Sequence, residues 1–148
     1  MAEATPRAEQ LVREYVEIWN ERAYSKIPDV VSESFVMSDP AAPEEGVPGP
    51  AREVHGPDGL EAFVRGVVDG FPDFRVTVGD LLSSDDLVMY EAEITMTHEG
   101  EFGGIPPTGR AVEVGEMSTF RVVDGKIQEH RAYFDQQEIY EQLGLTED

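Results

Sequence analysis

Apolar positions recur at helical spacing in the first third of the chain. Leu11, Val12, Tyr15, Val16, Ile18 and Trp19 form one such face, and Thr5-Pro6 supplies a helix start, an N-cap followed by proline. A shorter helix is predicted from about Ser25 to Val31, then a strand over Phe35–Asp39. The stretch Pro40 to Arg52, with four prolines and two glycines, reads as a long loop. A third helix is predicted from Gly56-Pro57 to Gly70, with Leu60, Phe63, Val64, Val67 and Val68 inward.

Beyond Gly70 the period changes to two. Strands are predicted over Phe74–Val78, Leu87–Thr97, Arg110–Val123 and Lys126–Phe134. Ser83 to Asp86 reads as a turn, Gly100 to Gly109 as a Gly/Pro-rich excursion, and Asp124-Gly125 as a tight hairpin. Gln136 to Leu143 closes the chain as a short helix. Helices first and an antiparallel meander after predict an α+β fold, residues 1–148 forming one domain. A curved sheet of four to six strands on about three helices encloses an internal pocket, the expected site.

Composition narrows the function. The 148 residues carry 31 acids against 11 cations, a formal net charge of -20. So few cations cannot easily make the basic face that nucleic acid or an anionic membrane requires. The excess fits either a very soluble acidic protein or a halophilic host with molar salt in its cytoplasm, where self-repulsion is screened. Cys is absent, which excludes disulfides, thiolate nucleophiles and cysteine metal sites. No basic-then-apolar leader and no run of 18 apolar residues is present, so a soluble cytoplasmic protein is expected.

Few motifs carry chemistry. There is no nucleophile elbow, Walker A run, H-E-x-x-H or dinucleotide fingerprint. His55, His98 and His130 lack ligand spacing, so no metal is expected. On the last strand Ile127, Glu129, Arg131 and Tyr133 share one face, read as facing inward, and Asp135 continues that parity. An Asp at the mouth of an apolar cavity would be a raised-pKa general acid/base; equally, Asp135 could be the N-cap of the closing helix. Glu91 and Glu93 share one face of their strand. On the next strand Glu113 lies on one face, and Glu116 on the other with Val114 and Ser118; alternation alone does not say which face is concave. Tyr15 and Trp19 read as core or pocket wall.

Several of these segments resemble one family. His98-Glu99-Gly100 through Ile105-Pro106-Pro107-Thr108-Gly109-Arg110, the strand Asp124-Gly125-Lys126-Ile127-Gln128-Glu129-His130, and Asp135 followed by Gln142-Leu143-Gly144 are similar to the motifs of SnoaL-like polyketide cyclases. His55-Gly56-Pro57-Asp58-Gly59 and Tyr15…Trp19-Asn20 also fit. The resemblance implies the NTF2-like cone with an internal pocket, and a cofactor-free aldol-type ring closure or proton transfer on a small hydrophobic carbonyl compound. It implies a single Asp, here Asp135, as general acid/base, with a homodimer or larger assembly through the convex face. Candidate ligand contacts are Tyr15, Trp19, His55, His98, Glu116, His130, Arg131 and Tyr133. Arg131 stands where the family usually carries Trp, which implies a charge able to hold an anionic or carbonyl oxygen. The alternatives are a non-catalytic small-ligand binder of the same fold and, ranked last, an Asp-Arg-Asp epoxide hydrolase.

Overall fold

Leu11, Val12, Tyr15, Ile18 and Trp19 all lie buried on one side of α1 (Arg7–Glu21), as their spacing predicts. The computed structural model describes residues 7–41 and 53–145. Thr5-Pro6 and all but two residues of the Pro40–Arg52 stretch therefore lie outside the described residues. The second predicted helix is shorter than expected: a 3-10 turn, Tyr24–Lys26, leads into the single turn α2 (Ile27–Val30). Val31 already belongs to β1 (Val31–Ser38), whose start is disguised by the polar run Ser32-Glu33-Ser34. β2 (Glu53–His55) is too short to show a period. It runs directly into α3 (Gly56–Gly70), which has Pro57 in its first turn.

The long strands are β3 (Arg75–Ser84), β4 (Leu87–Thr97), β5 (Ala111–Val123) and β6 (Lys126–Tyr133), closed by α4 (Gln136–Leu143). They form one six-stranded sheet in the order β2-β1-β6-β5-β4-β3. β3 to β6 make the expected antiparallel meander, whereas β1 lies parallel to β6. No hairpin ties those two strands, and residues 39–125, more than half of the chain, serve as their crossover. β3 runs on to Ser84, past the expected end at Val78, because a register shift between Val78 and Leu81 interrupts its alternation. The tight turn is Asp85-Asp86 alone, with Asp85 at φ 53°.

Asp124 and Gly125, at φ 50° and 79°, make the β5–β6 hairpin, in the left-handed pair of conformations that matches strand twist. The segment after β4 folds onto the end of α3: Glu99 and Gly100 both donate their N–H to the Gly70 carbonyl at 3.0 Å. A Cβ on Gly100 would lie 2.0 Å from the Asp69 carbonyl oxygen, so only glycine fits that approach. At the other end the Gln142 side chain both accepts from the Glu113 N–H and donates to its carbonyl, each at 2.8 Å, pinning α4 to β5.

The result is a mixed α+β fold, a curved unclosed sheet with α1, α3 and α4 gathered over its concave face. One hydrophobic core joins sheet and helices and includes Leu11, Phe35, Leu60, Val88, Phe120 and Ile127. Among the described residues no helix is long and apolar enough to cross a membrane.

Candidate functional site

The helices do not fill the concave sheet. They leave a cavity of about 820 Å³. Its walls are mainly apolar: Trp19 packs edge-on to Phe63 at 5.8 Å and tilted against Phe74 at 5.3 Å, with Phe71, Ile94 and Met96 nearby. Strand alternation sends polar groups into this apolar space. On β5 the inward series is Val112, Val114, Glu116, Ser118 and Phe120. Tyr90 enters from β4, His130 from β6, Tyr15 from α1 and Asp39 from just beyond β1.

These groups bond to one another. The Tyr90 hydroxyl donates to Glu116 Oε1 at 3.1 Å. Ser118 Oγ lies 3.0 Å from His130 Nε2, and the other ring nitrogen, Nδ1, lies 2.8 Å from the Tyr15 hydroxyl. The His130 ring stacks on Phe120 with centroids 4.1 Å apart, which fixes its plane. Asp39 is held by the N–H of Ala41, donated to Oδ1 at 2.7 Å.

Burial dominates the electrostatics. Desolvation, reinforced by the nearby Asp39, pushes the Glu116 carboxyl up to about 7. Desolvation also pushes Asp39 up to about 7, against the opposing Ala41 hydrogen bond. It holds His130 down at about 3, so the ring is neutral at ordinary pH. The Tyr15 and Tyr90 phenols are raised by burial as well. No lysine or arginine lines this cavity among the described residues.

His98 is a second polar feature of the wall. The Thr108 N–H donates to its Nδ1 at 3.2 Å, so the ring proton sits on Nε2. That Nε2 is buried and, among the described residues, has no partner; the same holds for Gln136 Oε1 on α4.

The structure brings together Tyr15, Trp19, His98, Glu116 and His130 of the expected contacts. It places the others elsewhere. The face of β6 read as inward points outward beyond Ile127: Arg131 and Tyr133 are exposed, and Arg131 pairs with Glu129 at 3.3 Å. The cause is a register shift between β5 and β6. Arg121 faces Glu129 but Val122 faces Ile127, so Gln128 is an extra residue that reverses the parity after Ile127. His130 and Ala132 take the inner face instead. Asp135, expected at the cavity mouth, is exposed and does not line the cavity, although its neighbours Phe134 and Gln136 do. Its carboxylate caps α4, accepting from the N–H of Gln137 at 3.0 Å and of Glu138 at 3.4 Å. His55, on β2, lies 3.2 Å from Glu53 and is also away from the cavity. Sequence reasoning passed over Asp39 and Tyr90. Alternation shows Tyr90 in phase with Val88 and Ala92, and Asp39 in phase with Phe35 and Met37; that phase was the available signal.

The SnoaL-like polyketide cyclase family model matches residues 9–143. The chain belongs to this family. Among characterised relatives of the family, the aklanonic acid methyl ester cyclase DauD of Streptomyces sp. (strain C5) is 26% identical over 136 residues, covering 90% of this chain and 80% of DauD. The crystal structure of IdmH, a candidate polyketide cyclase from Streptomyces antibioticus, superposes with a TM-score of 0.78 at 26% identity, covering 94% of this chain and 99% of IdmH. AclR from Streptomyces galilaeus, a candidate hydroxylase, gives a TM-score of 0.75 at 28% identity, covering 95% and 87%. Proteins of one fold thus carry different candidate chemistries.

Proposed function

We propose that this SnoaL-like protein performs cofactor-free acid/base chemistry, an aldol-type ring closure or proton shift, on a small hydrophobic carbonyl compound held in the cavity. Glu116 is the carboxyl that holds the transferred proton. One observation carries this reading: Glu116 and Asp39 are buried in an apolar cavity that no lysine or arginine lines among the described residues. A carboxyl held near 7 can both accept a proton from carbon and return it. A carbon between two carbonyls is already acidic, and its enolate spreads charge over the ligand, so such a base suffices. The same cavity disfavours a ligand with an ionised carboxylate, which would meet two acids and no counter-charge. A neutral ketone or ester fits, in keeping with the ester named for DauD.

The family resemblance gives the proton-transfer role to Asp135, and the geometry favours Glu116. A pair of variants separates them. Deuterium exchange at carbon is followed by NMR in a panel of β-dicarbonyl esters, in molar KCl. Loss of exchange in Glu116→Gln with retention in Asp135→Asn supports the proposal. The reverse pattern returns the role to Asp135. Ligand binding without exchange in the wild-type protein points to a non-catalytic binding protein.

A further inference from the structure

His98 is fixed at every polar atom but one. It continues the inward series of β4, after Tyr90, Ala92, Ile94 and Met96, just beyond the strand end. Its N–H donates to the Arg110 carbonyl at 2.9 Å, and its carbonyl accepts from the Gly109 N–H at 2.8 Å. The ring stacks on Phe71 with centroids 5.1 Å apart, and Phe102 braces Phe71 edge-on at 5.5 Å. Nδ1 accepts from the Thr108 N–H. The Thr108 hydroxyl, which itself accepts from the Arg110 N–H at 3.3 Å, lies 3.1 Å from the same nitrogen. A backbone N–H only donates, so the ring proton is on Nε2. That Nε2–H is a buried donor on a side chain of the cavity wall, with no acceptor among the described residues. Native proteins rarely leave such a donor unpaired, because it has lost its water and gained nothing in exchange.

The other groups of the wall define the missing acceptor. Glu116, Asp39, Asp69 and Glu101 line the cavity, and among the described residues no lysine or arginine does. An anionic oxygen would meet these acids without a counter-charge, so the fitting partner is an uncharged ketone or ester oxygen. The second unpartnered buried atom, Gln136 Oε1, is itself an acceptor, its amide Nε2 donating to the Tyr140 hydroxyl, and does not serve such an oxygen. Position says which oxygen it is. Glu116 pairs with Ala92 in the β4–β5 register, and His98 stands six residues further along the same chain. At about 3.3 Å per residue that is roughly 20 Å of backbone.

We propose that His98 is a specificity-determining contact, whose Nε2–H donates to an uncharged carbonyl oxygen at the end of the ligand remote from the carbon that exchanges its proton. This rests on the reading of the cavity as the ligand site and adds a second anchor, away from Glu116. A donor already held in place loses little freedom on binding. A ligand of the same shape without the oxygen leaves the donor unpaired, which is how a polar site rejects an analogue.

The test uses 1-indanone and indane, flat molecules of nearly one shape, of which only the ketone has an acceptor oxygen. Binding is followed by NMR of the full chain with isotope-labelled histidine rings. The free protein should show His98 protonated on Nε2. The Nε2–H signal should lie further downfield with 1-indanone bound than with indane bound, since both rings shift it alike and only the ketone accepts from it. The affinity for 1-indanone relative to indane should fall about tenfold in His98→Phe. His98→Gln, which keeps an N–H near the same point, should hold that ratio within about threefold of wild type. A ring protonated on Nδ1, equal signals in the two complexes, an unchanged ratio in His98→Phe, or an equal loss in His98→Gln overturns the contact. So does failure of both probes to bind. Should His98→Phe not fold, the wild-type signals and His98→Gln decide. Carbon exchange into β-dicarbonyl esters with no change of ratio overturns the contact and leaves the acid/base reading standing. A ratio that falls as expected, with no exchange in wild type, supports the contact and counts against the acid/base reading alone.

Discussion

The two faces of the β4–β5–β6 sheet carry the same kinds of side chain under opposite conditions. On the outer face Glu91, Glu93, Glu113, Arg121 and Arg131 are exposed, and their pairs are loose: Arg121 with Glu129 at 3.8 Å, Arg131 with Glu129 at 3.3 Å. On the inner face Glu116, Tyr90, Ser118 and His130 are buried and bonded in two pairs, Tyr90 with Glu116 and Ser118 with His130, and among the described residues no lysine or arginine lines the cavity. Asp135 belongs with the outer group, exposed and bonded to backbone N–H groups. At Glu116 the loss of solvent, and not the carboxyl alone, raises the group toward neutrality.

The sharpest way to break that contrast is to neutralise one carboxyl on each side. Glu116→Gln should lower carbon exchange by about 10²-fold or more, the usual scale of a general acid/base, and Asp135→Asn should leave it within about twofold, since it keeps a good cap. Equal losses would erase the distinction.

Stability against pH sharpens it next. Glu116 and Asp39 stand at about 7 against ordinary values of 4.5 and 3.8, so the folded protein binds those protons more tightly than the unfolded chain. Their stabilisation is complete below about pH 4 and is lost as pH rises through about 7, on the order of 3 kcal/mol for Glu116 and about 4 kcal/mol for Asp39. His130, at about 3 against an ordinary 6.5, works oppositely, adding stability as pH rises between those values. Above about pH 6.5 only the carboxyl slope remains. Denaturant unfolding between about pH 6.5 and about pH 8 should show stability falling with pH, and Glu116→Gln should flatten the fall.

At the α4 cap the expected effects are smaller. Asp135→Ala should cost about 1 kcal/mol in denaturant unfolding, and Asp135→Asn only a few tenths. Salt then tests the outer face as a whole. Molar KCl should stabilise the protein by screening its 31 acids, while the midpoint of Glu116, away from bulk solvent, should barely move. Equal stability in dilute and molar salt would dispose of the salt-adapted reading.

Much of the fold was legible because its long elements keep one period throughout. α3, β4 and α4 match their expected limits, and the inward series of α1 is the predicted one. Elements were obscured where the period is short or broken. β2 has three residues, the first half of β1 is polar, and β3 shifts register beyond Val78. The site followed the same rule. Glu116 sits in phase with Val114 and Ser118 on an unbroken strand, so its burial needed only the choice of face. Arg131, Tyr133 and Asp135 were read across a shift that their own residues do not announce. Asp39 ends an alternating run that includes Phe35 and Met37, but an acid at the end of a predicted strand looks solvent-facing until α1 and the sheet close around it.

The shift at Gln128 also decides which side chains the cavity owns. Pairing β5 and β6 in plain alternation with Gln128 retained would exchange the faces of everything after it. Glu129 and Arg131 would enter the cavity, and His130 and Ala132 would leave it, so a charged pair would replace the neutral floor. Deleting Gln128 would have the opposite result: alternation from Ile127 through His130 and Ala132 becomes unbroken, and the same side chains stay inside. That position can be lost in descent without changing what a ligand meets, whereas a slip that smooths the bulge cannot pass unnoticed.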